Sequence, residues 1–266
     1  MESVAWLRVC LRPSSLYSIR LPYTYQSALT YPVLPPSAVH GLAANALQRA
    51  EGGYPWEVAQ KVESQLVAVH ATLADRAVWG TYMMRGLKVE GAKDISQDAL
   101  PRSYVHSHAM DLWYFADSGA GDELLRRIAK ALASAPVTLG DSESLAAPCE
   151  LEMGKSPVIP VAVAEVREFC GLVPARVLEV REAGRLLYWM APTLGAPDKL
   201  VPYYLALRED RRQFKPGTIE GVLREDVAVT VIDGKTFLIA PFGSALLPAT
   251  RPKCRQWRTG AGVTGR

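Results

Sequence analysis

Residues 30–42 have the sequence Thr-Tyr-Pro-Val-Leu-Pro-Pro-Ser-Ala-Val-His-Gly-Leu, in which an extended proline segment runs directly into a helix. Tyr31 precedes a proline, which restricts it to extended conformations, and Pro35 and Pro36 have no N–H group to donate within a sheet. Ser37 offers a hydroxyl group as an N-cap. Apolar residues then recur with helical spacing and predict one buried face, made of Val39, Leu42, Ala43, Ala46 and Leu47.

The N-terminus of this helix is a candidate anion site. Free N–H groups and the positive end of the helix dipole suit a phosphate group. The alternative is an ordinary capped helix that packs on a sheet, because such helices are common. The residues alone leave both interpretations open.

The patterns around the helix predict the element order β, α, β, β, α, β. A strand with alternating residues covers Val4–Leu11, and β-rich runs follow at 65–73, 76–84 and 104–116, of which the first two could form one bent strand or a hairpin. A second long amphipathic helix begins near Asp122 and is stopped by Pro136, and a strand follows near 145–153. This is the order of the ferredoxin-like fold.

The second half of the sequence has a different pattern of predicted elements. After about Ser156, short β-rich runs separated by turn residues predict a small, mostly antiparallel β domain, and Asp233-Gly234 is a strong signal for a type I′ hairpin. The fold class we expect is therefore α+β. Its predicted divisions are a ferredoxin-like domain over 1–155 with a basic insertion near 85–103, a β-rich domain over 156–250 and a basic tail over 251–266.

The composition is that of a globular protein. The chain has 266 residues, 49% of them apolar, and no apolar run approaches the roughly 18 residues that cross a membrane. Its N-terminus lacks a basic region followed by an apolar one, so we expect a cytoplasmic protein. The four cysteines, Cys10, Cys149, Cys170 and Cys254, are far apart in sequence, which favours buried free thiols over a zinc site.

Charge is distributed unevenly. A net charge of +3 does not by itself predict nucleic-acid binding, but the first 50 residues hold four arginines and a single acidic residue. The long connection 14–30 interleaves Tyr17, Arg20, Tyr23 and Tyr25, and such side chains can stack on bases and hold phosphates. A tyrosine-rich loop that covers the core is the equal alternative.

Two motifs resemble those of the CRISPR-associated Cas5 family. Members of this family belong to the RAMP superfamily and are subunits of type I Cascade effector complexes, which act in antiviral defence. The first is Tyr31-Pro32, Pro35-Pro36-Ser37-Ala38 and Gly41-Leu42, and the second is the turn Leu139-Gly140-Asp141-Ser142-Glu143. The resemblance is nearest to I-A-like members. It implies an RRM-like fold, binding of the crRNA 5′ handle, and contacts with the Cas7 backbone subunit and the large subunit, with target DNA as a further candidate partner.

The resemblance also implies which residues hold RNA. Phosphates would rest at Ser37 to His40, tyrosines of the preceding loop would stack, and the segment 85–102 would form a thumb-like extension. The predicted RNA-binding residues are Arg20, Tyr25, Tyr31, Ser37, His40, Arg85, Lys88, Lys93 and Arg102. We expect no cofactor, no metal and no catalytic residue.

A metal-independent endoribonuclease that processes CRISPR repeat RNA on the same fold is the alternative function. Its candidate acid and base are His40, in the first turn of the helix, and His106, which alternates with His108 on one predicted strand. The run His70-Ala71-Thr72 also fits one half of the signature of two-histidine phosphoesterases, but His106-Ser107-His108 does not supply the second half.

Overall fold

The computed structural model describes residues 2–22, 24, 29–85, 99–134, 136–140, 144–181 and 186–241. Within these ranges the chain forms α1 (Pro36–Glu51), α2 (Pro55–Gln65) and α3 (Ala120–Ser134). The strands of the first part are β1 (Ser3–Pro13), β2 (Leu66–Leu73), β3 (Ala77–Arg85), β4 (Ala99–Ser107), β5 (Met110–Asp117), β6 (Val137–Thr138) and β7 (Leu145–Pro157). Those that follow are β8 (Ile159–Val161), β9 (Val166–Phe169), β10 (Leu172–Pro174), β11 (Leu178–Val180), β12 (Leu187–Met190), β13 (Val201–Leu205), β14 (Leu207–Asp210), β15 (Gln213–Pro216), β16 (Ile219–Leu223), β17 (Val227–Ile232) and β18 (Lys235–Pro241). The expected α+β class, mostly antiparallel β with three helices, is confirmed in this part of the chain.

A five-stranded antiparallel sheet in the order β2-β5-β1-β7-β6 organises the first half. Alternate residues of β1 point to opposite faces, so Leu7, Val9 and Leu11 are buried on the side of α3, in one apolar cluster with the buried face of α1. On the other face, Trp113 lies 4.6 Å, centroid to centroid, from Phe237 of β18. The sheet is therefore covered by helices on one side and by the β17–β18 hairpin on the other.

The strands β3 and β4 do not join this sheet. They pair with each other and, through β3, with β15, in the order β14-β15-β3-β4. The single strand predicted over 104–116 is wrong, because β4 ends at Ser107 and β5 begins at Met110. The prediction that runs 65–73 and 76–84 form one strand or one hairpin is also wrong, since β2 and β3 belong to different sheets.

The hydrophobic core extends across the predicted domain boundary at residue 155. Its largest cluster combines side chains of the first sheet and its helices with Met190, Leu205 and Phe214 from the second half, and β7 itself crosses the boundary. A second cluster lies among β9, β11, β16 and β17. The division into two domains stays a prediction.

The hairpin prediction at Asp233-Gly234 is confirmed. Both residues have positive φ, 50° and 73°, and they join β17 to β18 through a two-residue loop, as a type I′ turn requires. None of the helices in the ranges given above is long and apolar enough to cross a membrane.

Candidate nucleic-acid interface

The N-terminus of α1 is already occupied by the protein itself. The helix begins at Pro36 with Pro35 as its N-cap residue, and no side chain caps it, so the N-cap role predicted for Ser37 is wrong. The N–H of Ser37 donates to the carbonyl of Ala191 at 3.2 Å, and those of Ala38 and Val39 donate to the carbonyl of Pro35. A phosphate group at Ser37 would have to displace Ala191, and binding of RNA at Ser37 stays a prediction.

Tyr31 is buried rather than available for stacking. Only 2% of it is exposed, its ring lies 5.8 Å from that of Tyr188, and its hydroxyl donates to the carbonyl of Trp189. Burial raises the pKa of Tyr31 to about 12. Strand β12 covers the residue, and the expected contact of Tyr31 with RNA stays a prediction.

His40 is also removed from solvent. It is 7% exposed, and burial lowers its pKa to about 4, so its ring is neutral at physiological pH. RNA contact or acid-base catalysis by His40 would require the ring to become accessible, and both roles stay predictions. His106, its predicted catalytic partner, is exposed on β4 in the other sheet, so the two do not present one accessible site.

His70 is a structural residue and not half of a phosphoesterase site. Its Nδ1 accepts the N–H of Leu172 at 3.1 Å, and its Nε2 lies 2.8 Å from the carbonyl of Leu238. These partners fix the neutral tautomer with the proton on Nε2. Burial lowers the pKa of His70 to about 4.

The remaining predicted RNA-binding residues divide into two groups. Arg20 is exposed, and its backbone pairs with that of Thr30 to close the loop, while Arg102 is half-buried on β4. Tyr25, Lys88 and Lys93, together with the side chain of Arg85, lie outside the described residues, as does the tail 251–266. Roles in RNA binding for all of these residues stay predictions.

The second family-like motif packs against the loop that leads to the first. Gly140 has φ of 78°, and a Cβ built on it would lie 2.1 Å from the carbonyl oxygen of Ser18 in the loop that leads to Tyr31. Only glycine allows this approach and this backbone conformation together. The rest of the second motif, residues 141–143, lies outside the described residues.

The outer surface of the β3–β4 pair carries a set of aromatic and polar side chains that lie apart in the sequence. Along β4, Ser103, Val105 and Ser107 are buried, and the residues between them point outward. Strand pairing places their outward neighbours on β3 and β15 beside them. We call this surface the hairpin face; it consists of Val78, Gly80, Tyr82, Arg102, Tyr104, His106 and Gln213.

Two tyrosines dominate the hairpin face. The ring centroids of Tyr82 and Tyr104 are 5.8 Å apart with the planes tilted by 38°, and 40% of Tyr82 is exposed. Tyr104 crosses the strand opposite Gly80, where the missing side chain leaves room for its ring. Exposed aromatic rings on a sheet are a platform for unpaired bases.

Positive charge borders the hairpin face at the β14–β15 turn. A cleft of about 560 Å³ is lined by Val78 and by the turn residues Asp210, Arg211, Arg212 and Gln213. Both arginines are exposed, and Asp210 is engaged by Lys215 at 3.1 Å. The charged run 208–212 in the sequence is the signal that could have predicted this turn.

A histidine pair lies beside this cleft. His106 is directly opposite Val78, and its ring centroid is 5.7 Å from that of His108, which follows the end of β4. The prediction that both histidines belong to one strand is wrong, yet their rings are close. Stacking rings, cations and imidazoles thus share one exposed surface.

Comparison with known proteins identifies the family. The family model described as CRISPR-associated protein (Cas_Cas5) matches residues 10–221. A CRISPR protein from Archaeoglobus fulgidus has a similar structure, with a TM-score of 0.57 and 15% identity over 90% of this chain and 99% of that chain. No curated protein is significantly similar in sequence.

Two other solved structures align with lower TM-scores. A Cas protein has a TM-score of 0.32 and 15% identity over 83% of this chain and 94% of that chain. A CRISPR RNA-guided surveillance complex has a TM-score of 0.39 and 13% identity over 88% of this chain and 91% of the matched chain.

Proposed function

Because the chain belongs to the CRISPR-associated Cas5 family, we propose that it is a non-catalytic subunit of a type I CRISPR surveillance complex. In this role it binds the 5′ handle of crRNA and caps the backbone filament in antiviral defence. The observation that carries the proposal is the hairpin face, an exposed surface with two tyrosines and flanking arginines. The partners are the crRNA handle, the Cas7 backbone subunit and the large subunit, with target DNA as a further candidate.

We also propose that the first half is a ferredoxin-like, RRM-like domain with one insertion. The supporting element order is β1, α1, β2, β5, α3, β7, and these four strands lie side by side as β2-β5-β1-β7 with every pair antiparallel. The strands β3 and β4 are then the insertion. They serve as the thumb-like extension, because they leave the main sheet at one point and return to it at β5.

The hairpin face suits RNA because its parts match the parts of an unpaired strand. Base stacking on an aromatic side chain contributes about 1–3 kcal/mol per base, and Tyr82 and Tyr104 offer two such rings. Arg211 and Arg212 stand at the edge of the face, where the backbone of a strand lying over the rings would pass. Each phosphate contact by such a cation makes binding more dependent on salt.

Sequencing of bound RNA tests this function directly. The full chain is expressed with a CRISPR array and its candidate partner subunits, purified under mild salt, and the co-purifying RNA is sequenced. We expect fragments with a uniform repeat-derived 5′ end. RNA of random sequence, or none, would contradict the proposal.

One observation favours the endoribonuclease as a second candidate. His106 and His108 form an exposed ring pair beside the hairpin face, and two imidazoles can act as acid and base at a 2′-hydroxyl. Incubating repeat RNA with the purified protein and EDTA separates the two functions. We expect intact RNA; a defined cut that is lost in His106→Ala would establish the nuclease instead.

A further inference from the structure

Two cysteines that are distant in sequence meet between β1 and β7 of the five-stranded sheet. The Sγ atoms of Cys10 on β1 and Cys149 on β7 are 3.1 Å apart, and Cys149 Sγ also lies 3.3 Å from the carbonyl oxygen of Cys10. The separation of the sulfurs is shorter than ordinary van der Waals contact between thiols. The two residues are 139 positions apart along the chain.

A β-bulge produces this meeting. Cys10 is paired with Glu150, while the next residue, Leu11, is paired with Pro148, so Cys149 is the extra residue of β7. In a regular ladder neighbouring residues point to opposite faces, and a bulge breaks that alternation. The break allows Cys149 to turn its thiol toward Cys10.

The environments of the two thiols are unequal. Cys10 is 6% exposed, whereas Cys149 is exposed to solvent. Burial, the neighbouring Cys149 thiol and the charge of Asp111 together raise the pKa of Cys10 to about 12. A soluble oxidant therefore meets Cys149 first, and Cys10 is the resolving thiol.

We propose that Cys10 and Cys149 form a dithiol site for small-molecule disulfides and close into a cross-strand disulfide. The Cys149 thiolate attacks oxidised glutathione, a mixed disulfide forms, and one glutathione thiolate leaves. The Cys10 thiol then loses its proton to solvent, its sulfur attacks the Cys149 sulfur, and the second glutathione thiolate leaves and takes up a proton. Two protein thiols are oxidised and one disulfide is reduced to two glutathione molecules, so electrons and protons balance.

The geometry suits this closure. Glu150, the neighbour of Cys149 in the bulge, is directly opposed to Cys10, and opposed Cα atoms of antiparallel strands lie about 4.5–5.5 Å apart, a spacing at which disulfides form. The sulfurs need to approach by only about 1 Å to reach a bond length of about 2.05 Å. A metal site is the less favoured use of the pair, because no group of three or more His, Cys, Asp and Glu side chains within the described ranges could hold an ion.

The experiment uses the full chain in a Cys254→Ser background, which removes the cysteine that lies outside the described residues. The protein is incubated with oxidised glutathione at pH 8.5, quenched with acid, alkylated and digested with trypsin without reductant. Peptides 9–20 and 131–155 carry the two cysteines. We expect them to be linked, with a loss of two hydrogen atoms and no retained glutathione.

Two variants and a thermal scan make the result decisive. Cys149→Ser should abolish the link and leave Cys10 as a free thiol, whereas Cys170→Ser should leave the link unchanged. The oxidised protein should melt roughly 5–10 °C higher than the reduced protein, since the bond closes a long loop, and dithiothreitol should reverse the shift. Two outcomes would overturn the proposal. One is glutathione that stays on Cys149 beside a free Cys10. The other is that both thiols stay unmodified, although the same oxidant converts dithiothreitol to its disulfide in a control.

Discussion

The side chain of Tyr104 occupies the space that a side chain at Gly80 would need: a Cβ built on Gly80 would lie 2.5 Å from the Tyr104 hydroxyl oxygen and 2.7 Å from the ring carbon that bears it. The two residues are directly paired across β3 and β4. The position of the tyrosine on the hairpin face therefore depends on the absence of a side chain opposite it.

We expect Gly80→Ala to weaken handle RNA binding by displacing the Tyr104 ring. If the ring stacks on a base, the loss is about 1–3 kcal/mol, or roughly 5- to 150-fold in Kd. Tyr104→Ala should have a similar effect, and the double variant should be no worse than Tyr104→Ala, because both changes remove one contact. Gly195→Ala is the matched control, since its Cβ would make only ordinary contacts at 3.7 Å or more. Equal RNA affinity in Gly80→Ala, Tyr104→Ala and the control would exclude this ring from the interface.

The arginines of the β14–β15 turn should act through charge. We expect Arg212→Ala to weaken RNA binding at low salt and to reduce the slope of log K against log salt by about one unit. Arg126→Ala, which removes an exposed arginine of α3 paired with Glu123, should leave the slope unchanged. Binding titrations at several salt concentrations measure both. A slope that is identical in the two variants would remove the turn from the RNA path.

The free energy of unfolding should decrease as the pH is lowered, because unfolding then allows the buried imidazoles to take up protons. The folded-state pKa of His70 is about 4, below the unfolded value near 6.5. The unfolded chain therefore binds more protons between these values, so the stabilisation is present above about pH 6.5 and is lost as pH falls toward 4. His40 acts in the same direction for the same reason.

Denaturant unfolding across this pH range measures the effect. His70 contributes up to roughly 3 kcal/mol of pH dependence, and His70→Gln, which can still accept from Leu172 and donate to Leu238, should reduce the slope. His108→Gln changes an exposed ring and is the control. A His70→Gln variant with the same pH dependence as the unaltered protein would show that the burial of His70 is not its cause.

The turn at Gly140 should tolerate no side chain. We expect Gly140→Ala to lower the free energy of unfolding by about 1–3 kcal/mol, because it adds a clash with the Ser18 carbonyl to an unfavourable positive φ. Gly234→Ala has a similar φ of 73° but open space around the new Cβ, so it isolates the cost of the backbone conformation. Equal losses in the two variants would show that the contact with Ser18 contributes nothing.

Local patterns predicted the regular elements well. The apolar face of α3 is buried as its spacing indicates, and the positive φ values at Asp233-Gly234 follow from the turn chemistry of those two residues. The turn at His108-Ala109 was missed, because it contains neither glycine nor proline and lies between two strand-forming runs.

The candidate site was harder to predict because long-range contacts decide what is exposed. Tyr31 and Ser37 have the chemistry of a nucleic-acid site, but residues 189–191, about 150 positions later in the sequence, pack over them. Local sequence patterns do not predict this long-range contact. The hairpin face has a clearer sequence signal, since Arg102, Tyr104 and His106 alternate with small or apolar residues that point inward. The meeting of Cys10 with Cys149 depends on a bulge, which spacing along the chain does not reveal.

The shared sheet of β3, β4 and β15 has a practical consequence for anyone who divides this protein. A fragment that ends near residue 155 would lose Gln213 and the neighbouring arginines from the surface we assign to RNA, and it would leave Trp113 and Phe115 without the aromatic cover of Phe237. We expect such a fragment to aggregate and to bind RNA poorly. The surface that we propose for RNA binding is built from both halves of the sequence, so neither half can be assayed for it separately.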